Sequence, residues 1–286
     1  MTDNGNGGGK PQTVLVVGGT GRTGRRVAAR LAARGAAVRI GSRSARPRFD
    51  WADSGSWGPA LHGAEAAYLV LQPDVGAPGV AETLREFAAR AVESGVRRLV
   101  LLSARGEEAA LPAERAVRES GAEWAVLRCS WFCQNFSEGA LREYVDAGTL
   151  PFPAGQVREP FIDAEDIAEV AAAVLLSDAS GGLLGRVHEL TGPRALTWAE
   201  AVAEITRASG REVRYVAVPA REYGAELLRL GVPEPEAAFL TALFEQLLDG
   251  RNAGVTDGVR RVLGREPREF GAFVRGVWGP AARVTS

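Results

Sequence analysis

Lysine is almost missing from this chain. Lysine and arginine together number 34, yet Lys10 is the only lysine, and it stands near the N-terminus. A mechanism that needs a lysine inside a folded site is therefore excluded. Cysteine and histidine are nearly as scarce. Cys129 and Cys133 make no disulfide scaffold, and His62 and His188 cannot build a histidine-rich metal site. No run of about 18 apolar residues occurs, so no membrane-spanning helix is expected. The stretch Met1 to Gln12 has no apolar segment of the kind a secretory signal carries, and the expected location is cytoplasmic. Charge of one sign is lacking too. A formal net charge of −1 gives no basic excess with which to hold nucleic acid or an acidic membrane. The expected partner is a small molecule, and no metal is expected.

What is present is a chain of 286 residues, 46% hydrophobic and 24% charged, long enough for a large core. Residues 1–12, rich in Gly and Asn, read as a disordered tail. From Thr13 apolar runs alternate with amphipathic stretches. TVLVVG (Thr13–Gly18), AVRIGS (Ala37–Ser42), AEAAYLVL (Ala64–Leu71), RRLVLLS (Arg97–Ser103) and EWAVLRCS (Glu123–Ser130) read as strands. Helical spacing marks Arg22–Arg34, Gly79–Gly95 and Leu111–Gly121 between them. This alternation predicts an α/β fold, a Rossmann-type doubly wound parallel sheet. Residues 13–150 would form the nucleotide-binding core. Residues 151–286 would form a smaller C-terminal α/β substrate-binding part, interleaved with that core. There PFPAG (Pro151–Gly155) reads as a loop, Ala164–Ser177 as a helix and Gly185–Gly192 as a strand. Thr197 and Glu200 have capping-box spacing.

Between the first strand and the first helix lies Gly18-Gly19-Thr20-Gly21-Arg22-Thr23-Gly24. This G-x-x-G-x-x-G run is a variant of the dinucleotide fingerprint. Gly18 permits a tight turn, Gly21 lets backbone amides approach a pyrophosphate, and Gly24 lets the helix lie close to the strand. The helix N-terminus then offers N–H groups and partial positive charge to the phosphates. A glycine-rich turn without a ligand is the bland alternative. The end of the second strand selects the nicotinamide. No carboxylate stands between Ala36 and Phe49 to hold a ribose 2′-hydroxyl, whereas Ser42 and Arg43 stand there with Arg46 and Arg48 close by. A guanidinium can fork onto a 2′-phosphate, and Arg22 can reach the same region. NADP(H) is therefore preferred, with NAD(H) possible. Asp50 and Trp51, following a third short strand, can meet the adenine, or serve as a turn aspartate and a core tryptophan.

Ligands in open α/β sheets lie at the carboxyl ends of the strands. Gln72 and Pro73, Ser103 to Arg105, and Cys129 to Asn135 occupy those ends. Trp131, Phe132 and Phe136 can wall an apolar substrate pocket. Asn135 can orient a polar group, and Arg105 can touch substrate.

The motifs GGTGRTG (Gly18–Gly24), RRLVLLSARG (Arg97–Gly106), VRESGAEWAVLRCSWFCQNF (Val117–Phe136), FIDAEDIAEVAAAVL (Phe161–Leu175) and VRRVLGREPREFGAFV (Val259–Val274) together resemble the NmrA-like family of atypical short-chain dehydrogenases and reductases. FDWADSGSWGPALHG (Phe49–Gly63) is similar to the ergot-alkaloid-type reductases within it. The resemblance implies NAD(P)H-dependent reduction of a small, largely apolar imine, enone or quinone, in specialised metabolism. It also exposes a gap. Typical short-chain dehydrogenases use a Tyr-x-x-x-Lys pair as proton relay. None of Tyr68, Tyr144, Tyr215 and Tyr223 has lysine four residues on, and the position where relatives often keep the lysine falls near Ala110. Ser103, Tyr144, His188 or water remain as proton donors. Two other readings stay open: a non-catalytic sensor of the NADP(H) pool, and a cyclase or isomerase that makes no use of hydride. Cys129 and Cys133 read as buried apolar residues, and Asp163 with Asp166 as a capping and ion-pairing couple at a helix start.

Overall fold

The computed structural model describes residues 12–139 and 141–280. The expected tail, apart from Gln12, lies outside them. Ten strands are present among the described residues: β1 (Thr13–Val17), β2 (Ala37–Gly41), β3 (Ala66–Leu69), β4 (Arg98–Ala104), β5 (Glu123–Cys129), β6 (Thr149–Phe152), β7 (Arg158–Glu159), β8 (Arg186–Leu190), β9 (Leu196–Thr197) and β10 (Arg214–Ala217). Twelve helices accompany them. α1 (Arg22–Ala33), α2 (Trp57–Leu61), α3 (Val80–Glu93) and α4 (Leu111–Arg118) belong to the first half. α5 (Asn135–Glu138), α6 (Leu141–Asp146), α7 (Ala164–Leu175) and α8 (Trp198–Ser209) follow. α9 (Ala220–Arg229), α10 (Glu234–Leu247), α11 (Gly258–Leu263) and α12 (Phe270–Trp278) close the chain.

Six strands form one sheet in the order β2-β1-β3-β4-β5-β8, every pair parallel. Parallel strands covered on both faces must be apolar throughout, and Val14 to Val17 and Ala66 to Leu69 are buried without a break. On one face Trp57, Leu84, Phe87 and Val117 pack against Leu15, Leu69 and Leu101. On the other, Val27 and Leu31 of α1 and Ile167, Val170 and Val174 of α7 cover Val14, Val16, Tyr68 and Val100. Because β1 has β2 on one side and β3 on the other, the winding reverses there. In open α/β sheets ligands bind beside such a reversal, here at the carboxyl ends of β1 and β3.

The C-terminal half contributes β8 to this sheet and builds a third cluster around Phe136, Phe152, Phe161, Trp198 and Phe270. β6 pairs with β10, and β7 pairs antiparallel with β9. Thr197 and Glu200 close the expected capping box at the start of α8. Asp163 caps α7 by accepting from the Glu165 N–H at 2.9 Å, and the buried Asp166 pairs with Arg265 at 2.7 Å. Two expectations need correction. Pro151 and Phe152 are not loop but lie in β6, because β10 supplies them a partner strand. No third strand lies between β2 and Asp50. Residues 48–50 are irregular, held by the Phe49 N–H on the Ser42 carbonyl at 2.9 Å.

Candidate active site

A cleft of about 470 Å³ lies over the carboxyl ends of β3, β4 and β5. Its floor is the sheet, through Val70, Leu102, Ala104 and Cys129. Its far wall is α9 and α10, through Tyr223, Leu227, Leu240, Leu243, Phe244 and Leu247. The α10 face is amphipathic by position: Leu240, Leu243, Phe244 and Leu247 recur at helical spacing toward the cleft. Most of the lining is apolar, with Arg22 and Asn135 at one border and Asp74, Arg105, Glu107 and Glu159 among its few charged groups.

The glycine bend borders this crevice. Gly18 adopts φ +69°, and its Cα faces Val70 of the neighbouring strand end so closely that a Cβ would stand 3.3 Å from the valine Cβ. A Cβ on Gly24 would stand 2.1 Å from the Gly18 carbonyl oxygen, so α1 can approach the strand only with glycine there. At Gly21 a Cβ would meet nothing nearer than that same oxygen, at 3.2 Å. Thr20 is exposed at the tip and Thr23 is buried beneath it. No side chain caps α1, and its first turn carries no acidic residue. Its leading N–H groups are thus left for a ligand, and the bend fits a dinucleotide pyrophosphate.

The arginines divide. Arg22 does not point to the end of β2. Its guanidinium donates to Asn135 Oδ1 and lies 5.9 Å from the Phe132 ring centre, at the cleft border, where burial pulls its pKa below the usual arginine value. Arg48 is committed to Asp50 at 2.7 Å and Asp53 at 2.9 Å. Arg43 and Arg46 are exposed and make no ion pair with the described residues. Ser42 Oγ lies 3.3 Å from Ser44 Oγ. Asp50 is held by Arg48 and by the Ala52 N–H, and Trp51 donates to the Val70 carbonyl at 2.9 Å while packing on Phe49 and Phe87. Both side chains are thus engaged within the fold.

The strand-end residues are brought together in part. Pro73, Ser103, Arg105, Trp131, Phe132 and Asn135 line the cleft; Gln72 is exposed beside it. Ser103 Oγ donates to Glu114 Oε1 at 2.7 Å, and Glu114 also accepts from Arg128 Nε at 2.8 Å. The serine hydroxyl proton is therefore spoken for. Arg105 donates to the carbonyls of Asn252 and Gly254, each at 2.7 Å, and ties the segment after α10 to the cleft. Phe136 does not line the cleft. It is fully buried among Phe161, Trp198 and Phe270, because α5 turns it inward. Tyr144 lies on α6 and His188 in the middle of β8, neither of them at the cleft. His188 Nε2 bonds the Leu183 carbonyl at 2.8 Å, and burial holds its pKa below the ordinary histidine value.

No family model matches the chain. It is 36% identical over 276 residues to the uncharacterised oxidoreductase YesF of Bacillus subtilis, covering 92% of this chain and 94% of that protein. It is 31% identical over 287 residues to agroclavine dehydrogenase of Claviceps fusiformis, covering 93% and 98%. The chain belongs to the NmrA-like family of atypical short-chain dehydrogenases and reductases. Its fold is that of the NADPH-dependent quinone oxidoreductase QOR2 of Escherichia coli solved with NADPH, with a TM-score of 0.74 at 22% identity over 94% of this chain and all of that one.

Within this NmrA-like chain, two carboxyls that sequence reasoning passed over border the cleft. Glu107 is 3% exposed and Glu159 is wholly buried, and neither oxygen of either carboxyl has a hydrogen-bond partner among the described residues. Gly76 makes room for the first, since a Cβ there would stand 1.9 Å from Glu107 Oε1. Burial and the neighbouring Asp74 push the Glu107 carboxyl up to about 8. Burial pushes Glu159 up to about 7 against the pull of Arg105. Among the described residues no helix is long and apolar enough to cross a membrane, and no group of metal-ligating side chains is assembled.

Proposed function

We propose that this chain is an NADPH-dependent reductase of small, largely apolar molecules that carry a C=N or conjugated C=O bond. One observation carries the reading: an apolar cleft lies over the carboxyl ends of β3, β4 and β5, with Arg22 of the glycine bend at its border. The bend at Gly18–Gly24 and the uncapped start of α1 would hold the pyrophosphate. Arg43 and Arg46, free of carboxylate partners and next to the end of β2, would meet a 2′-phosphate. Bound there, the reduced nicotinamide supplies a hydride. Trp131, Phe132, Leu243 and Phe244 would exclude water and seat the substrate, with Asn135, held by Arg22, offering a polar contact. The activities named for agroclavine dehydrogenase and the quinone oxidoreductase agree with this class of substrate.

The test is transfer of deuterium from C4-deuterated NADPH into product across a panel of imines, enones and quinones. Label in a reduced product is expected. Tight NADPH binding with no turnover of any acceptor would reject the reading. The commitment of the Ser103 hydroxyl to Glu114 favours a second one, a protein that binds NADP(H) without chemistry, and that result would support it.

A further inference from the structure

The geometry points to Glu159 as the proton donor of the reduction, a buried carboxylic acid in place of a tyrosine and lysine. This rests on the reductase reading above. The cleft needs a donor that can touch substrate. Tyr144 and His188 stand away from it, Ser103 already gives its proton to Glu114, and burial pushes the phenol of Tyr223, on the far wall, up to about 12, away from neutrality. Glu159 borders the cleft, is fully buried, and has both carboxyl oxygens without a partner. A buried carboxylate with no donor is costly, so the neutral acid is favoured well above the usual carboxylate range.

Its placement is built from both halves of the chain. β7 is pinned to β9, and the residues that follow it are stitched to the end of β5. Ser130 Oγ donates to the Pro160 carbonyl at 2.6 Å, Ile162 N–H to the Trp131 carbonyl at 2.9 Å, and Cys133 N–H to the Ile162 carbonyl at 2.8 Å. Glu159 is thereby fixed beside the strand end that carries Trp131 and Phe132, the substrate side of the cleft. Glu107 comes from the other side, next to Asp74, whose proximity adds to the upward push of burial on its carboxyl. The charged groups that act on Glu159 are Arg105, from the loop after β4, and Asp249, from the end of α10; Arg22, Asp74 and Glu107 border the same cleft. Arg105 is anchored by the two carbonyls after α10 and favours the carboxylate once the proton has gone. A carboxyl titrating near neutrality is suited to general acid catalysis at that pH.

In the step, the carbon of a neutral C=N or the β-carbon of an enone gains hydride and its electron pair from the reduced cofactor. The displaced π pair collects on nitrogen or oxygen. The Oε–H bond of Glu159 breaks and its proton passes to that atom. Glu159 is left as carboxylate, the cofactor is left oxidised, and a solvent proton restores the acid after product leaves.

Two measurements test the role. With an enone acceptor, kcat of the wild-type enzyme should fall as pH rises through about 7, and Glu159→Gln should lose that limb and about 100-fold or more of kcat. The loss should be at least about tenfold smaller with a preformed cationic acceptor, which takes hydride without needing a proton. Infrared difference spectra of Glu107→Gln without cofactor, which removes the other raised carboxyl, should show a protonated carboxyl band that titrates near neutrality and is absent from the Glu107→Gln/Glu159→Gln double variant, whose fold circular dichroism will check. Turnover in which Glu159→Gln keeps the wild-type pH limb, or transfer of the limb's loss to Glu107→Gln, overturns the donor role alone. A missing band does the same. No turnover by the wild-type protein overturns the reductase reading, and the donor role with it.

Discussion

Replacing Gly24 by alanine separates a bend that grips a cofactor from a bend that merely turns the chain. The added Cβ would stand 2.1 Å from the Gly18 carbonyl oxygen, 2.7 Å from its carbon and 2.8 Å from the Gly19 Cα. All three obstacles are backbone, so no side chain can swing away. Van der Waals contact requires the start of α1 to retreat from the bend by roughly 1 Å. Overpacking of this kind costs about 1–3 kcal/mol, a fall in Tm of about 2–10 °C. The same retreat misplaces the leading N–H groups of α1. If two charge-assisted hydrogen bonds of about 1.5–3 kcal/mol each are lost, NADPH affinity drops by about 100-fold or more. Gly21→Ala is the paired control. Its Cβ meets only the Gly18 oxygen, at 3.2 Å, so Tm should fall by no more than about 3 °C while NADPH affinity falls as far as in Gly24→Ala. Differential scanning fluorimetry and isothermal calorimetry on the two variants read both quantities. A Gly21→Ala protein that binds NADPH like the wild type would refute the reasoning, because the open space above Gly21 would then hold no phosphate.

Three further outcomes follow from the described geometry. Arg43→Ala should weaken NADPH by about 1.5–3 kcal/mol and leave NADH within about twofold, since the guanidinium has no partner in the fold to lose; equal losses in calorimetry would remove the 2′-phosphate assignment. Asp166→Asn should cost about 2–4 kcal/mol in urea unfolding, because the fully buried carboxylate accepts from the Arg268 N–H and from Arg265, each at 2.7 Å; a change below about 0.5 kcal/mol would contradict that count. The protein without cofactor should lose stability between about pH 4.5 and 8, the span from the unfolded carboxyl value to the folded ones. Glu107 and Glu159 bind their protons more tightly folded than unfolded, so stability present at lower pH is lost as pH rises through their folded values of about 8 and 7. His188, whose folded pKa is depressed, works in the opposite sense and offsets part of this loss below about pH 6.5. The ceiling is about 3 kcal/mol for Glu159 and about 5 kcal/mol for Glu107, and a double Gln variant whose Tm keeps the wild-type slope would sink the assignment.

How far the sequence could be read depended on whether a residue acts through its neighbours in the chain or through distant ones. The five apolar runs and the glycine bend are local signals, and the parallel sheet follows them strand for strand. The Thr197–Glu200 box and the Asp163 cap were legible for the same reason, since both close within four residues. Phe136 and Arg22 were read less well. A phenylalanine four residues after Phe132 and an arginine inside a phosphate loop carry no mark of the direction in which α5 and α1 will turn them. Glu107 and Glu159 lay beyond local reading altogether. In sequence each is an ordinary solvated carboxylate, flanked by Gly106 and Glu108 or by Arg158 and Pro160. What changes their chemistry is enclosure by segments that are far away along the chain, Gly76 and Asp74 for one, Arg105 and the end of α10 for the other. The missing lysine therefore has a counterpart in the fold. A Tyr-x-x-x-Lys relay keeps a proton available by lowering the pKa of a phenol with a nearby cation, whereas this cleft raises the pKa of a carboxyl by withholding water from it. Both routes bring an acid toward neutrality, and the second needs no lysine.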